Sequence, residues 1–325
     1  MCIVSPAEQK PIVKTSNLRH FLDIRDHSEK TLRTILRTAA RVKAQQIDRR
    51  LPLHPARPLE GRSLGLILAQ PSTRTRVSFE VGMGQLGGNT TVLSPGDMQL
   101  GRGESIADTA RVLSRFLDVI VLRTGNDAAL REMAQWSSVP VINGLTPVSH
   151  PIQILADILT FEEHRGPITG KTLAWVGDGN NVATSLMEAA ARLNFKIRIA
   201  TPEGFSPNPS VVDWARQNGA SIELFTNPEE AVTGADAILT DTWVSMGDSD
   251  RETRLNVLRP YQVNTALMAK AAPGALFLHC LPAHIGEEVT EEVFESAASV
   301  VFDEAENRLH SQKGLLLWAL GAEHD

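Results

Sequence analysis

Ten residues, Pro71-Ser72-Thr73-Arg74-Thr75-Arg76-Val77-Ser78-Phe79-Glu80, gather two guanidinium groups and four hydroxyls directly after the apolar run at 64–69. That run reads as a buried parallel strand. The Ser/Thr cluster reads as the start of a helix whose packed face carries Val77, Val81, Met83 and Leu86. A strand's carboxyl end therefore meets a helix's amino end here, where unpaired N–H groups and the helix dipole favour an anion. Arginine adds planar donors suited to phosphate or carboxylate. The chemistry these residues imply is capture of a phosphorylated or otherwise dianionic small molecule. The plainer alternative is an ordinary helix cap with solvated arginines.

The elements that must position this loop follow one plan. Short apolar runs alternate with helical patterns, the signature of parallel sheets covered by helices. Candidate strands are 64–69, 90–93, 118–122 and 139–142 in the first half. Those of the second half are 172–176, 196–200, 221–225, 236–240 and 275–278. Segments 104–116 and 182–193 carry apolar residues at helical spacing. Residues 150–163 read as one helix with Pro151 in its first turn. The expected fold class is α/β in two domains, each a mostly parallel sheet with helices on both faces and the active site in the cleft between them. The expected boundaries are 1–150 and 151–325. Helix 150–163 bridges them, and a helix from about 307 packs back on the first domain.

A chain of 325 residues can bury two substantial cores. A net charge of −6 argues against a nucleic-acid surface, which needs a concentrated basic face. No apolar run approaches a membrane span, and the first ten residues carry neither a secretory nor a transit pattern. The two cysteines, Cys2 and Cys280, lie at opposite ends of the chain. That separation disfavours a disulfide framework and favours a reducing cytoplasm. No zinc-type spacing occurs, and neither a metal nor a cofactor is expected.

Open parallel sheets bind ligands outside the carboxyl ends of their strands, and six polar loops of this chain fall there. Besides 71–76 these are Arg123, His150 with Gln153, Gly177-Asp178-Gly179-Asn180-Asn181, Asp241 to Gly247, and His279-Cys280-Leu281-Pro282. His150 and Gln153, three apart at a helix start, can face one ligand and polarise a carbonyl oxygen. The Gly-Asp-Gly stretch invites a dinucleotide reading, but Val182 stands where the third glycine of that fingerprint belongs. Cys280 reads better as a binding or proton-managing thiol than as a nucleophile, since His279 beside it points to the other side of a continuing strand.

In combination these loops resemble the carbamoyltransferase family, in its ornithine-specific branch, over nearly the whole chain from about Leu18 to Leu317. The markers are Ser72-Thr73-Arg74-Thr75-Arg76, Gln99-Leu100-Gly101-Arg102-Gly103-Glu104, Arg123-Thr124, His150-Pro151-Ile152-Gln153, Asp241-Thr242-Trp243-Val244-Ser245-Met246-Gly247, His279-Cys280-Leu281-Pro282 and Asn307-Arg308. The resemblance implies carbamoyl transfer from carbamoyl phosphate to the δ-amine of L-ornithine, giving L-citrulline and phosphate, in arginine biosynthesis or breakdown. It implies that Ser72, Thr73, Arg74, Thr75 and Arg123 bind carbamoyl phosphate with Gln99 of a neighbouring subunit. His150, Gln153, Arg308 and the backbone at Cys280-Leu281 would contact the carbamoyl group. Asn181, Asp241, Ser245 and Met246 would hold ornithine. Arg123, His150, Asp241 and Cys280 would be catalytic, Arg123 and His150 stabilising the oxyanion with Thr75. A cytoplasmic homotrimer with shared sites is implied, with no nucleic acid or membrane as partner.

Three positions depart from the family pattern: Gln70 in place of lysine, Gly125-Asn126-Asp127 in place of a nearby histidine, and Ile285 in place of arginine. They bear on affinity and loop behaviour more than on reaction type. Two other functions compete with this one. Putrescine or an acylated ornithine could be the acceptor, which the intact Asp241 to Gly247 loop disfavours. A catalytically silent binding protein is disfavoured because no ligand-type residue is missing.

Overall fold

In the first half of the chain, helix α1 (Glu29–Gln45) precedes an alternation of β1 (Ser63–Leu68), α2 (Thr73–Gln85), β2 (Asn89–Leu93), α3 (Ile106–Leu113), β3 (Val119–Arg123), α4 (Asp127–Trp136) and β4 (Val141–Leu145). Helix α5 (Pro151–Arg165) leads into the second half. There β5 (Thr172–Val176), α6 (Asn181–Leu193), β6 (Lys196–Ala200), α7 (Pro209–Gln217), β7 (Ser221–Phe225), α8 (Pro228–Val232) and β8 (Ala237–Thr240) follow in turn. The chain ends with α9 (Arg251–Leu258), α10 (Thr265–Met268), β9 (Leu276–His279), α11 (Glu291–Phe294) and α12 (Val301–Ala319). This is a computed structural model, and it describes residues 18–45, 56–94, 96, 98, 103–244 and 250–323. Among them no helix is long and apolar enough to cross a membrane.

The expected α/β class with two parallel-sheet domains is what the structure shows. One sheet runs β2-β1-β3-β4 and the other β7-β6-β5-β8-β9, and every pairing is parallel. In both sheets the order reverses beside the first strand, between β1 and β3 and between β5 and β8. A reversal sends the flanking loops to opposite sides and opens a crevice at the strands' carboxyl ends. The central strands β1, β3, β5 and β8 are mostly buried and apolar because helices cover both faces, whereas the edge strands β2 and β7 carry exposed Asn89, Thr91, Ser221 and Glu223.

Three local expectations are corrected. Strand β4 lies at 141–145 rather than 139–142. Pro140 has no N–H for the ladder, and the Asn143-Gly144 pair, which looks like a turn, is absorbed as a bulge between the pairs Leu122↔Asn143 and Arg123↔Leu145. Asn143 is buried because its amide donates to Leu22 O and Ser149 Oγ, at 2.9 and 3.0 Å. The packed face of α2 is formed by Thr75, Phe79, Gly82, Met83 and the cap Leu86, whereas Val77 and Val81 are 50% and 42% exposed. Positions 75, 79, 82 and 86 fall on one stripe at helical period, and 77 and 81 on the other side.

Helix α12 begins at Val301, not near 307. Its first turns carry Asp303, Glu304 and Glu306 and show no apolar stripe, yet Glu304, Asn307, Arg308 and Lys313 are buried between α1, α2 and α5. Gly314 allows the crossing with α1: a Cβ there would lie 2.6 Å from Ile35 O and 2.8 Å from Ala39 N. Backbone cannot yield as a side-chain tip can. Gly314→Ala is therefore expected to lower unfolding free energy by about 2–3 kcal/mol despite alanine's better helix propensity. A chemical-denaturation midpoint equal to that of the wild type would disprove the close-approach account.

Candidate active site

Between the two crevices lies a cavity of about 830 Å³. From the first domain it is lined by residues 70–75, Arg123, Leu145, Pro147 and His150, and from the second by Asp178, Asn180, Asn181, Val182, Asp241, Thr242, Val244 and Arg254. Cys280, Leu281, Pro282, His284 and Arg308 complete the wall.

One end is cationic. Ser72 caps α2, its hydroxyl accepting from Thr75 N at 3.4 Å, so the first turn points its N–H groups into the cavity mouth. Arg74 lies in that turn. Arg123 closes β3 directly opposite Leu68 of β1, and its buried Nε has no protein partner. Burial first, and then Arg74, lower its pKa from the usual arginine value. Arg308 enters from α12, where burial lowers its pKa to about 10 and still leaves it charged at neutral pH. Its Nη2 donates to Thr75 Oγ1 at 3.4 Å and its Nε is buried without a partner. Two buried guanidinium edges are thus left for a ligand oxygen.

His150 caps α5 and donates its backbone N–H to Ser185 Oγ at 2.9 Å, tying the domains together beside the cavity. Burial, with Arg308, Arg123 and Arg74 adding to it, holds its pKa well below the ordinary histidine value. The ring is neutral at neutral pH. A neutral imidazole offers one N–H to an oxygen without adding a fourth positive charge. Its Nδ1 is buried and without a protein partner.

The other end is built on the loops after β5, β8 and β9. Asn180 Oδ1 caps α6, accepting from Val182 N and Ala183 N, while its amide donates to Asp241 Oδ2 at 2.7 Å. Asp241 Oδ1 accepts from Thr242 N at 2.7 Å and from the Cys280 thiol at 2.9 Å. Burial, and next Asp241, push the Cys280 thiol well above its ordinary value. It is a protonated thiol, not a thiolate nucleophile. Leu281 follows in the left-handed region (φ 57°), its N–H donating to His279 Nδ1 at 2.9 Å. A leucine held there is strained, and such strain collects where a backbone is fixed for a ligand.

Of the residues read from sequence, Ser72, Thr73, Arg74, Thr75, Arg123, His150, Asn181, Asp241, Cys280, Leu281 and Arg308 line this one cavity. Asn181 does so with its amide donating to Thr146 O at 2.8 Å. Gln153, expected at the carbamoyl group, is only 1% exposed and lies outside the lining. Its Oε1 accepts from Arg308, so in this structure it reaches the cavity through that side chain. Gln99, Ser245 and Met246 lie outside the described residues, as does Cys2.

The sequence places Asp178 and Asn180 in a site loop without giving either a role, and it does not point to His284 or to Arg254, the ion-pair partner of Asp178. The ion pair fastens α9 to the loop after β5, and Arg254 Nε also donates to Trp243 O. Asn180 was legible as a helix cap, but its second bond to Asp241 is long-range. The dinucleotide reading fails on space, because a Cβ on Gly179 would lie 2.4 Å from Pro207 N and 2.8 Å from Phe205 O. A neighbouring loop, not a ligand, occupies that approach. Ligand atoms of Asp241, His279 and Cys280 come within 4.8 Å of one another, as do those of His284, Glu287 and Glu288. In the first cluster each is already engaged: the thiol with Asp241, and the imidazole with Leu281 N and Glu288.

Models of two domains of one family match the chain in order. The carbamoyl-P binding domain of aspartate/ornithine carbamoyltransferase covers residues 19–163, and the Asp/Orn binding domain covers 169–319. The chain belongs to the aspartate/ornithine carbamoyltransferase family. Within that family it is 59% identical over 308 residues to the ornithine carbamoyltransferase of Rhodopseudomonas palustris (strain BisA53), spanning 94% of this chain and 98% of the relative. It is 56% identical over 309 residues to that of Brucella suis, covering 94% and 96%. Among solved structures it resembles the ornithine carbamoyltransferase of Pyrococcus furiosus, with a TM-score of 0.88 and 48% identity over 93% of this chain and 97% of that one. The anabolic enzyme of Campylobacter jejuni gives 0.86 and 36%, covering 93% and 99%. The family's two binding domains each supply one wall of the cavity.

Proposed function

We propose that this chain transfers the carbamoyl group of carbamoyl phosphate to the δ-amine of L-ornithine, giving L-citrulline and phosphate. The observation that carries this reading is the polarity of one cavity. Three guanidinium groups and a helix start lie at one end, Asp241, Asn180 and Asn181 lie at the other, and a neutral histidine and a protonated thiol flank the middle.

The phosphate of the donor sits on the first turn of α2 with Arg74 and Arg123, and Gln99 of a neighbouring subunit completes its pocket. The carbamoyl group lies against Arg308, His150 and the Cys280-Leu281 backbone. Ornithine enters with its α-ammonium on Asp241 and its carboxylate on Asn181, where Ser245 and the Met246 backbone assist. The uncharged δ-amine attacks the carbonyl carbon, and the C=O electron pair moves onto oxygen. Arg123, His150 and the Thr75 hydroxyl face that developing charge. The carbon–oxygen bond to phosphate then breaks, and the leaving phosphate takes a proton from the new amide nitrogen. Catalysis is positioning plus electrostatics: all the charged donors are in place before reaction and need no reorganisation. Cys280, kept as a thiol, adds no charge beside the incoming amine and so does not favour its protonated form.

The division into a donor domain (1–150) and an acceptor domain (151–325) belongs to the same reading, as do assembly into a homotrimer and action in arginine metabolism in the cytoplasm. A reducing compartment keeps Cys280 a thiol.

The test is citrulline formation by the purified chain with ornithine, putrescine and N-acetylornithine offered in parallel. Product from ornithine alone is expected. Product from another amine and none from ornithine would overturn the acceptor assignment. Light scattering should give three times the 35.4 kDa chain mass.

A further inference from the structure

Behind the guanidinium end of the cavity lie two carboxyls that the proposed reaction leaves unused. Asp157 on α5 and Glu304 on α12 are 4% and 2% exposed. Both accept from the same Gln153 Nε2, at 2.8 Å each, so the two carboxyls lie side by side. Two ionised carboxylates this close in a buried setting repel, and one proton between them removes the conflict.

The pair touches both parts of the protein that form the carbamoyl end. Gln153 Oε1 accepts from Arg308, and Glu304 Oε2 accepts from His279 N at 2.9 Å, directly before Cys280 and Leu281. The charged and titratable groups facing the pair are Arg308 from α12, Asp241 from the loop after β8 and Cys280 from the loop after β9. Arg308 favours one negative charge here, and Asp241 opposes a second.

We propose that Asp157 and Glu304 share one proton and, as a singly charged unit, are positioning residues that set Arg308 and the Cys280-Leu281 turn for carbamoyl phosphate. This rests on the proposed carbamoyl transfer. Burial raises both carboxyls, Glu304 well above the carboxylate range and Asp157 to about 6, which supports a proton held by the pair.

Two variants and one spectrum decide it. In E304Q the amide oxygen can still accept from His279 N and the NH2 can donate to Asp157, with only the bond from Gln153 Nε2 lost at this side chain, so KM for carbamoyl phosphate is expected to rise less than about threefold. E304L removes every polar contact of this side chain, and that KM is expected to rise about thirtyfold while KM for ornithine changes by less than about twofold. The infrared carbonyl band of a protonated carboxyl, identified by its shift in heavy water, is expected in the wild type at neutral pH and diminished in E304Q. An unchanged band in E304Q would overturn the shared proton. Equal damage in E304Q and E304L, or a rise in ornithine KM alone, would overturn the positioning role. If E304L does not fold, the spectrum and E304Q still decide. Failure of the wild type to make citrulline would sink the reaction reading instead, with the band still reporting on the proton.

Discussion

Arg74→Ala is expected to lower kcat/KM for carbamoyl phosphate by about 10²–10³-fold, the effect of removing one well-placed charged donor from a developing anion. The fold should not suffer. Among the described residues the Arg74 side chain makes no ion pair, and its Coulombic neighbours, Arg123, Arg308 and His150, all gain from its loss. Like charges gathered for a dianion are a liability in the empty protein, so the variant's Tm should stay level or rise by about 1–2 °C. Loss of activity accompanied by a large fall in Tm would show that Arg74 is structural. Unchanged turnover would remove the phosphate cradle from the argument.

Asp241→Asn attacks the other end. The carboxylate accepts from Thr242 N, Asn180 Nδ2 and the Cys280 thiol while keeping a face toward the cavity. An amide of the same shape loses the charge that suits an α-ammonium, and it turns a donor toward either Asn180 or the thiol. KM for ornithine is expected to rise about 10²-fold, whereas the dissociation constant of carbamoyl phosphate changes by less than about threefold. A second readout follows from the thiol. Asp241 is one of the groups that push it upward. Cys280 in the variant should therefore alkylate faster with iodoacetamide at mildly alkaline pH. A loss confined to carbamoyl phosphate affinity, with ornithine KM unmoved, would place Asp241 at the wrong end of the cavity.

The alternation of elements was legible because parallel strands covered on both faces are short, apolar and evenly spaced, as β1, β3 and β5 are. Local pattern fails where polar residues serve the interior. Asn143 in β4 and Glu304, Asn307 and Arg308 in α12 are buried by bonds to residues far away in sequence, so no local period reveals them. The face of α2 departs from the apolar pattern for a related reason: two valines stay exposed while Thr75 and Gly82 pack.

By itself, the sequence determined the α/β plan, the loops that supply the site, and the marks of the carbamoyltransferase family. These are properties of types and order along the chain. Only the tertiary structure decided which of those side chains reach the cavity and in what charge state. Gln153 stands behind Arg308, Asn180 rather than Asn181 holds Asp241, His150 is neutral under three arginines, and two carboxyls lie paired beneath the site. Each of these depends on desolvation and on partners from separate elements. Those are fixed by distance in space, which local pattern does not encode.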